Sequence, residues 1–303
     1  MKVDLSVDLA GLRLPNPLLP GSGPPGDSLR KLKKLMDDGI GGLVTKTISV
    51  QTPEIPRPAM AFEGEHLFFN VEKWSSRPHA EWRDTILPEL ENRQVPLIAS
   101  LGYTAEDLEM LIPVIEPLVD GFELSTHYIA SSSTLLLDTI RRARALTQKP
   151  IFVKLSWHGG DMVSNAIIAE KAGASGITAI NSIGPVMAID IKKKASRLGR
   201  ADPNMWLSGP AIKPMALRAV FEIARAVDIP VIGCGGVTTG EDVVEFMLAG
   251  ATAVQSCTGL IRKGNKMIRE VIRSMTRWCP EQDVSTIRDI VGTVTPHFVK
   301  LGG

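Results

Sequence analysis

Residues 229–261 read IPVIGCGGVTTGEDVVEFMLAGATAVQSCTGLI. Two short apolar runs that end in glycine or small polar residues enclose an amphipathic stretch, which is the pattern of a strand, a helix and a second, parallel strand. Thr238 and Glu241 have the spacing of a capping box, and Gly250 stands where a helix commonly ends. This segment therefore predicts one βα unit of a parallel sheet together with its following strand.

The same alternation recurs along nearly the whole chain. The predicted strands are 15–22, 41–47, 96–101, 121–126, 150–156, 176–182, 230–236 and 252–258. The predicted helices are 28–38, 78–91, 105–118, 134–146, 162–172, 213–227, 241–248 and 261–278. Such a series predicts an α/β fold, a (β/α)₈ TIM barrel that forms a single domain over residues 1–303. The opening run 3–14 predicts a small N-terminal hairpin that closes the bottom of the barrel.

The composition argues against several classes of function. Lys plus Arg (34) and Asp plus Glu (33) nearly cancel, so neither nucleic acid nor an anionic membrane is expected, and a small-molecule substrate is the simpler partner. No apolar run of about 18 residues predicts a membrane span, and the first residues form no signal peptide, so we expect a cytoplasmic protein. The three cysteines are far apart without a C-x-x-C spacing, so no disulfide framework, iron–sulfur cluster or other metal site is expected.

Glycine-rich strand ends predict a phosphate site. Gly235 and Gly236 follow the seventh strand, and Cys257 and Thr258 end the eighth. Backbone amides without bulky side chains can approach an anion closely, and a short helix after the eighth strand adds its positive N-terminal end. The alternative interpretation is a pair of tight turns that need positive φ angles.

Two lysines lie inside or directly after strands. Lys154 in PIFVKLS shares a strand face with Phe152 and Ser156, and Lys46 lies in LVTKT. A buried ammonium is costly without an anion, so each lysine is a candidate to hold negative charge on a ligand. The alternative is a structural lysine whose ammonium reaches solvent.

Polar residues also gather at the predicted strand ends, where amides and hydroxyls could hydrogen-bond the edge of a heterocycle. These residues are Ser22, Ser100, Ser125, Asn181 and Ser182. Each could instead be a helix cap or turn residue. The connections 48–77 and 184–208 are longer than a plain barrel needs, which is typical of lids or binding loops.

Taken in order, these segments resemble the dihydroorotate dehydrogenase family, including the pyrimidine-reducing barrel of dihydropyrimidine dehydrogenases. The matching stretches span almost the whole chain. They are NPLLPGSG (16–23), LVTKT (43–47), VKLS (153–156), INSIG (180–184) with MAID (187–190), LSGPAIKPMALRAV (207–220), and IPVIGCGGVTTGEDVVEFMLAGATAVQ (229–255).

The resemblance implies FMN as cofactor and a homodimer. The cofactor-binding residues that it implies are Gly21, Ser22, Lys46, Thr47, Ser100, Lys154, Asn181, Ser182, Ser208, Gly209, Gly235, Gly236, Cys257 and Thr258. Lys154 would lie beside the N1 and O2 edge of the flavin and stabilise its anionic reduced form. The implied chemistry is hydride exchange between flavin N5 and a substrate carbon, coupled to proton transfer at the neighbouring carbon.

The substrate motif departs from the family. After the fourth strand the family has an Asn-x-Ser-Cys-Pro-Asn type of motif whose Cys or Ser is the base, whereas this chain reads Ser125-Thr126-His127-Tyr128. Tyr128 and His127 are therefore the candidate catalytic residues beside Lys154, and His158 is a further candidate proton donor. A phenol donates a proton more readily than it accepts one at neutral pH, which favours reduction of an activated C=C bond. Aromatic packing is the alternative role for Tyr128.

Other substrate contacts change as well. The second-strand loop keeps an asparagine of the family's motif but continues as VEKWSS (71–76), and a tryptophan and a histidine follow VKLS. The candidate substrate-binding residues are Asn70, Trp74, Ser125, Trp157 and His158. Loss of matched amides removes discrimination between polar ligands, so the sequence leaves dihydroorotate open as the substrate.

The leading hypothesis is an FMN-dependent oxidoreductase that acts on a CH–CH or C=C bond of a small cyclic substrate. One alternative is a non-redox lyase or isomerase with a phosphorylated substrate. The other is an FMN relay subunit that passes electrons to a separate electron-transfer subunit.

Overall fold

The computed structural model describes residues 3–127, 129, 131–157, 161–198 and 204–294. Its strands, in chain order, are β1 (Val7–Leu9), β2 (Leu12–Leu14), β3 (Leu18–Pro20), β4 (Leu43–Val44), β5 (Met60–Glu63), β6 (Leu67–Asn70), β7 (Leu97–Leu101), β8 (Gly121–Ser125), β9 (Ile151–Leu155), β10 (Gly176–Ala179), β11 (Ile183–Val186), β12 (Ile189–Asp190), β13 (Ala195–Ser196), β14 (Met205–Ser208), β15 (Val231–Cys234) and β16 (Ala251–Ser256).

The helices lie mostly between these strands. They are α1 (Leu29–Asp37), α2 (His79–Glu81), α3 (Ala105–Ile115), α4 (Ser133–Leu146), α5 (Met162–Lys171), α6 (Lys213–Ile223), α7 (Gly240–Ala249), α8 (Thr258–Lys263) and α9 (Lys266–Glu281). None of the helices in the described ranges is long and apolar enough to cross a membrane.

The predicted barrel is confirmed. Eight parallel strands pair in the order β3-β16-β15-β10-β9-β8-β7-β4. The amide of Gly41, just before β4, donates to the carbonyl of Leu18 in β3 at 2.9 Å and joins the two ends of the sheet. Every residue of β8 and β9 is buried, because helices cover one face of a parallel sheet and the barrel interior covers the other.

The N-terminal hairpin also forms as predicted. Strands β1 and β2 pair antiparallel, and Leu9 and Leu14 are completely buried. A Cβ atom at Gly42, just before β4 begins, would lie 3.1 Å from the side chain of Leu14. The hairpin therefore packs against the N-terminal ends of the barrel strands, opposite the edge where the predicted site residues lie.

Three predicted helices are not continuous α-helices, and this part of the prediction was wrong. The segment 78–91 has a wide turn over Trp82–Ile86 and a 3₁₀ turn at Pro88–Leu90, because Pro88 has no amide to donate to the helix. After α3, Pro117 lies in a 3₁₀ turn in the same way. The last segment divides into α8 and α9 at Gly264, which adopts a φ of +69°.

The capping box of α7 is displaced by one residue from the prediction. The amide of Asp242 donates to Oγ1 of Thr239 at 3.1 Å, and the Thr239 amide donates to the Asp242 carboxylate at 2.9 Å. Asp242 also accepts from Thr238 and pairs with Lys213, contacts that Glu241 does not make. Gly250 ends α7 at a φ of +122°, as predicted.

The two long connections combine into a second sheet that the sequence did not predict. Strands β5 and β6 come from the first connection, and β11 and β14 come from the second. They form an antiparallel sheet in the order β11-β14-β6-β5. A small apolar cluster that includes Phe69, Leu198 and Met205 packs against it. This rim sheet covers part of the C-terminal end of the barrel.

Candidate functional site

A cleft opens between the C-terminal ends of the barrel strands and the rim sheet. Ser22, Lys46 and Cys257 line it from loops directly after barrel strands, whereas Phe68 and Trp206 line it from the rim sheet. Both connections of unusual length therefore contribute a wall of the cleft. This is the end of the barrel where TIM-barrel enzymes have their active sites.

A network of five polar residues, of which all but the half-buried Ser22 are buried, forms the floor of the cleft. Nζ of Lys154 lies 2.7 Å from Oε1 of Gln255, 3.2 Å from Oγ of Ser22 and 3.4 Å from Oε1 of Glu123. The other carboxylate oxygen of Glu123 accepts from Gln255 at 2.5 Å and from Thr178 at 3.1 Å. These contacts satisfy a charged pair that would otherwise be costly inside the barrel.

The environment keeps Lys154 charged. Burial on its own lowers the pKa of Lys154, but negative charge on Cys234 and Glu123 raises it, and the net direction is upward. Burial raises the pKa of the Cys234 thiol, so at neutral pH Glu123 supplies the counter-charge. Burial also raises the pKa of Cys257 to about 12, which makes this thiol a neutral lining group.

A second buried lysine lies in the wall of the cleft. Lys46 follows β4 and forms an ion pair with Glu72, which lies in the loop after β6. Only 5% of the Lys46 side chain and 13% of the Glu72 side chain are exposed. Next to Lys46, Oγ1 of Thr47 lies 3.0 Å from Oγ of Ser100, so Ser100 supports the wall from behind.

Backbone amides form an anion-binding corner. Gly235 and Gly236 adopt φ angles of +134° and +77°, which favour glycine. Within the described ranges the amides of Gly235, Gly236 and Thr258 donate no hydrogen bond to the protein. Oγ of Ser208 lies 2.9 Å from Oγ1 of Thr258 at the same corner. These donors suit a phosphate group.

The corner leaves no room for side chains on its glycines. A Cβ atom at Gly236 would lie 2.8 Å from Cβ of Lys213 and 2.9 Å from the carbonyl oxygen of Gly209. A Cβ atom at Gly21 would lie 2.8 Å from Cβ of Cys257. All three distances are too short for a real side chain, so only glycine fits at these two positions.

Two aromatic pairs line the cleft. The rings of His127 and Trp206 meet edge to face with centroids 4.0 Å apart, and those of Trp74 and Tyr103 with centroids 5.0 Å apart. Nδ1 of His127 lies 3.1 Å from Oγ of Ser156, so this imidazole is held from two sides. An imidazole in a fixed orientation can exchange a proton with a ligand in the cleft.

Most of the predicted site residues that the structure describes line one cleft. These are Ser22, Lys46, Thr47, Asn70, Trp74, Ser125, His127, Lys154, Asn181, Ser182, Ser208, Gly235, Gly236, Cys257 and Thr258. Gly21, Ser100 and Gly209 lie directly behind this lining. Trp157 does not belong to the lining, and 38% of it is exposed. Tyr128 and His158 lie outside the described residues.

Several residues of the site were not singled out from the sequence. Glu123 is a carboxylate in an apolar strand, so the argument that selected Lys154 applies equally to it. Gln255 carried the same signal in β16. Glu72 and Trp206 carried none, because the rim sheet and the loop after β6 bring them to the cleft, and Tyr103, which lies in the loop after β7, was not selected either.

Comparison with known proteins identifies close relatives. The family model described as dihydroorotate dehydrogenase matches residues 4–278. The chain is 33% identical over 302 residues to the dihydroorotate dehydrogenase B (NAD(+)) catalytic subunit of Pyrococcus horikoshii, covering 95% of this chain and 97% of that one. The proteins of the same description from Methanothermobacter thermautotrophicus and Pelobacter propionicus are 31% and 33% identical, with 95% and 97% of this chain covered and 97% and 99% of theirs.

Proposed function

The chain belongs to the dihydroorotate dehydrogenase family and is an oxidoreductase acting on the CH–CH group of donors, and on that premise we propose that it binds FMN in the cleft described above and uses it on a CH–CH or C=C bond of a small cyclic substrate. The observation that carries the proposal is the pairing, in one cleft, of an anion-binding corner with the buried ammonium of Lys154.

The residues present fit this cofactor. Amides of Gly235, Gly236 and Thr258, with the hydroxyls of Ser208 and Thr258, would hold the phosphate. The remaining cofactor contacts would come from the strand-end residues predicted above. Bound FMN would supply two-electron hydride chemistry at a carbon of the substrate.

Lys154 would stabilise negative charge on the electron-rich ring. Glu123 and Gln255 fix its ammonium below the cleft, so no side chain has to reorganise when charge develops there. Because Glu123 holds the pKa of Lys154 high, the lysine contributes a fixed positive charge and does not itself exchange the proton.

The proton at the neighbouring carbon needs a separate group. We assign it to the segment after β8, where His127 lines the cleft and Tyr128 follows directly. Ser156 and Trp206 hold the His127 ring in one orientation. In the reducing direction this segment gives a proton to the carbon beside the one that receives the hydride, and in the oxidising direction it takes one away.

The electrons must enter or leave through a second reactant. The relatives named above are described as catalytic subunits of an NAD(+)-type enzyme. We therefore propose that this chain exchanges electrons with a separate electron-transfer subunit and that it forms a homodimer. Three free thiols fit a reducing cytoplasmic compartment.

A flavin spectrum tests the proposal. Purified protein should be yellow, should release FMN on denaturation, and should be bleached by anaerobic photoreduction and recoloured by an unsaturated cyclic substrate. A panel of pyrimidines, cyclic enones and quinones would identify the oxidant. A colourless protein that binds no added FMN would refute the proposal and favour a non-redox barrel enzyme. Co-purification and size-exclusion chromatography would test the partner subunit and the homodimer.

A further inference from the structure

The segment that replaces the family's substrate motif places a carboxylate inside the cleft. Asn70 ends β6, and two residues later the Glu72 side chain turns back to pair with Lys46. Both groups line the cleft, and both are largely buried. The cation that faces this part of the cleft is therefore already neutralised by the protein's own chain.

The other buried lysine, Lys154, is not left for a substrate carboxylate, because its charge is assigned above to the flavin ring. Lys154 pairs with Glu123 beneath the cleft, and the third lysine of the lining, Lys73, lies with Nζ 5.9 Å from the centre of the Trp74 ring. Among the described residues of the lining, both buried lysines have carboxylate partners, and the half-buried Lys73 lies over the Trp74 ring. An anion placed beside Lys46 would also lie beside Glu72, and repulsion between two like charges is strong away from bulk water.

We propose that Glu72 makes the cleft select an uncharged substrate, because its carboxylate already occupies the ammonium of Lys46. The aromatic lining fits such a ligand, since Trp74, Tyr103 and Trp206 offer apolar ring surface to a flat conjugated ring. The substrate class is then a neutral, planar, cyclic compound with an activated C=C bond, and a substrate with a carboxylate beside that bond is excluded. This inference rests on the proposed function in one respect, namely that the ligand bound in the cleft is the redox substrate.

Two ligands that differ in one charge test the inference. Isothermal titration calorimetry on the purified holoprotein should show that the methyl ester of orotic acid binds at least about tenfold more tightly than orotate. In Glu72→Gln the affinity for orotate should rise by about tenfold or more, while the affinity for the ester changes little. Glu65→Gln, an exposed acid in the same connection, is the matched control and should leave both affinities unchanged.

The outcomes separate this inference from the proposed function. Wild-type protein that binds orotate as tightly as its ester overturns the inference, and this measurement needs no variant. If neither ligand binds the wild type, the folded Glu72→Gln variant provides the test. If that variant does not gain orotate binding, the inference is overturned as well. A colourless protein speaks against the proposed function, whereas a yellow protein that prefers orotate contradicts the substrate class alone.

Discussion

Nζ of Lys154 lies 3.4 Å from Oε1 of Glu123, and Gln255 bridges the pair by accepting from the lysine at 2.7 Å and donating to the glutamate at 2.5 Å. All three side chains are almost fully buried. A lysine held in this way cannot turn to solvent, and its charge acts at one place, at the floor of the cleft. The ammonium of Lys154 and the carboxylate of Glu123 are therefore coupled, and removing one leaves the other as an unpaired buried charge.

Lys154→Met should have two separable effects. Loss of the cation should make flavin reduction less favourable and lower turnover by about 10²-fold, because charge developing on the ring loses a fixed partner. The uncompensated Glu123 should also reduce the free energy of unfolding by about 3–5 kcal/mol. Redox titration and urea unfolding measure the two effects.

The double variant Lys154→Met/Glu123→Gln separates them. It should recover most of the stability, because no unpaired charge remains, but not the midpoint potential of the flavin. Lys171→Met, at an exposed position, is the control for both measurements. A normal potential in a folded Lys154→Met protein would remove the lysine from the proposed role.

Gly236→Ala should weaken flavin binding strongly. The new Cβ would lie 2.8 Å from Cβ of Lys213 and 2.9 Å from the Gly209 carbonyl, so the amides at this corner must move. We expect FMN affinity to fall by about 10²-fold or more, which corresponds to about 3 kcal/mol, measured by fluorescence titration of the flavin-free protein. Gly64→Ala is the matched control, because Gly64 has a φ of +60° but nothing within 4 Å of its Cβ position. Both variants should lose about 1 kcal/mol of stability through backbone strain, but only Gly236→Ala should lose flavin.

Variants after β8 should uncouple the two half-reactions. His127→Asn and Tyr128→Phe should keep FMN and its photoreduction by an artificial donor, because His127 belongs to neither the phosphate corner nor the lysine network and Tyr128 is proposed here for proton transfer alone. Turnover of the unsaturated substrate should fall by about 10²–10⁴-fold for the residue that transfers the proton. His66→Asn, an exposed histidine in the rim sheet connection, should behave as wild type. Whichever variant retains normal turnover is excluded from proton transfer.

Alkaline pH should destabilise the fold through Cys257. Burial raises the pKa of this thiol to about 12, from 9.0 for an exposed one. As the pH rises, the unfolded chain therefore loses the thiol proton before the folded protein does. The contribution of this thiol to the free energy of unfolding is fully present below pH 9 and is lost as the pH rises from 9 towards 12. The loss is up to about 1.4 kcal/mol per pH unit for this group. Urea unfolding of wild type and Cys257→Ala at pH 7, 9 and 10 measures it. A pH dependence that is identical in the two proteins would contradict this assignment.

The chain's repeating pattern was sufficient to predict the barrel, because each strand–helix unit is a local property. Short apolar runs between amphipathic stretches predicted all eight barrel strands, and the N-terminal hairpin followed from its own alternation. The sequence could not distinguish between two possible capping boxes with the same chemistry. Thr238 with Glu241 and Thr239 with Asp242 have the same spacing, and a tertiary contact from Lys213 to Asp242 accompanies the second.

The sequence also determined which residues gather at the rim of the barrel, because strand ends of a parallel barrel meet there whatever the loops do. Lys154, Lys46 and the paired glycines were identifiable on that ground alone. Only the tertiary structure decided what each charge faces. The pairing of Glu72 with Lys46 depends on a rim sheet built from two connections more than a hundred residues apart in the chain, and such long-range pairing leaves no periodic signal in either segment.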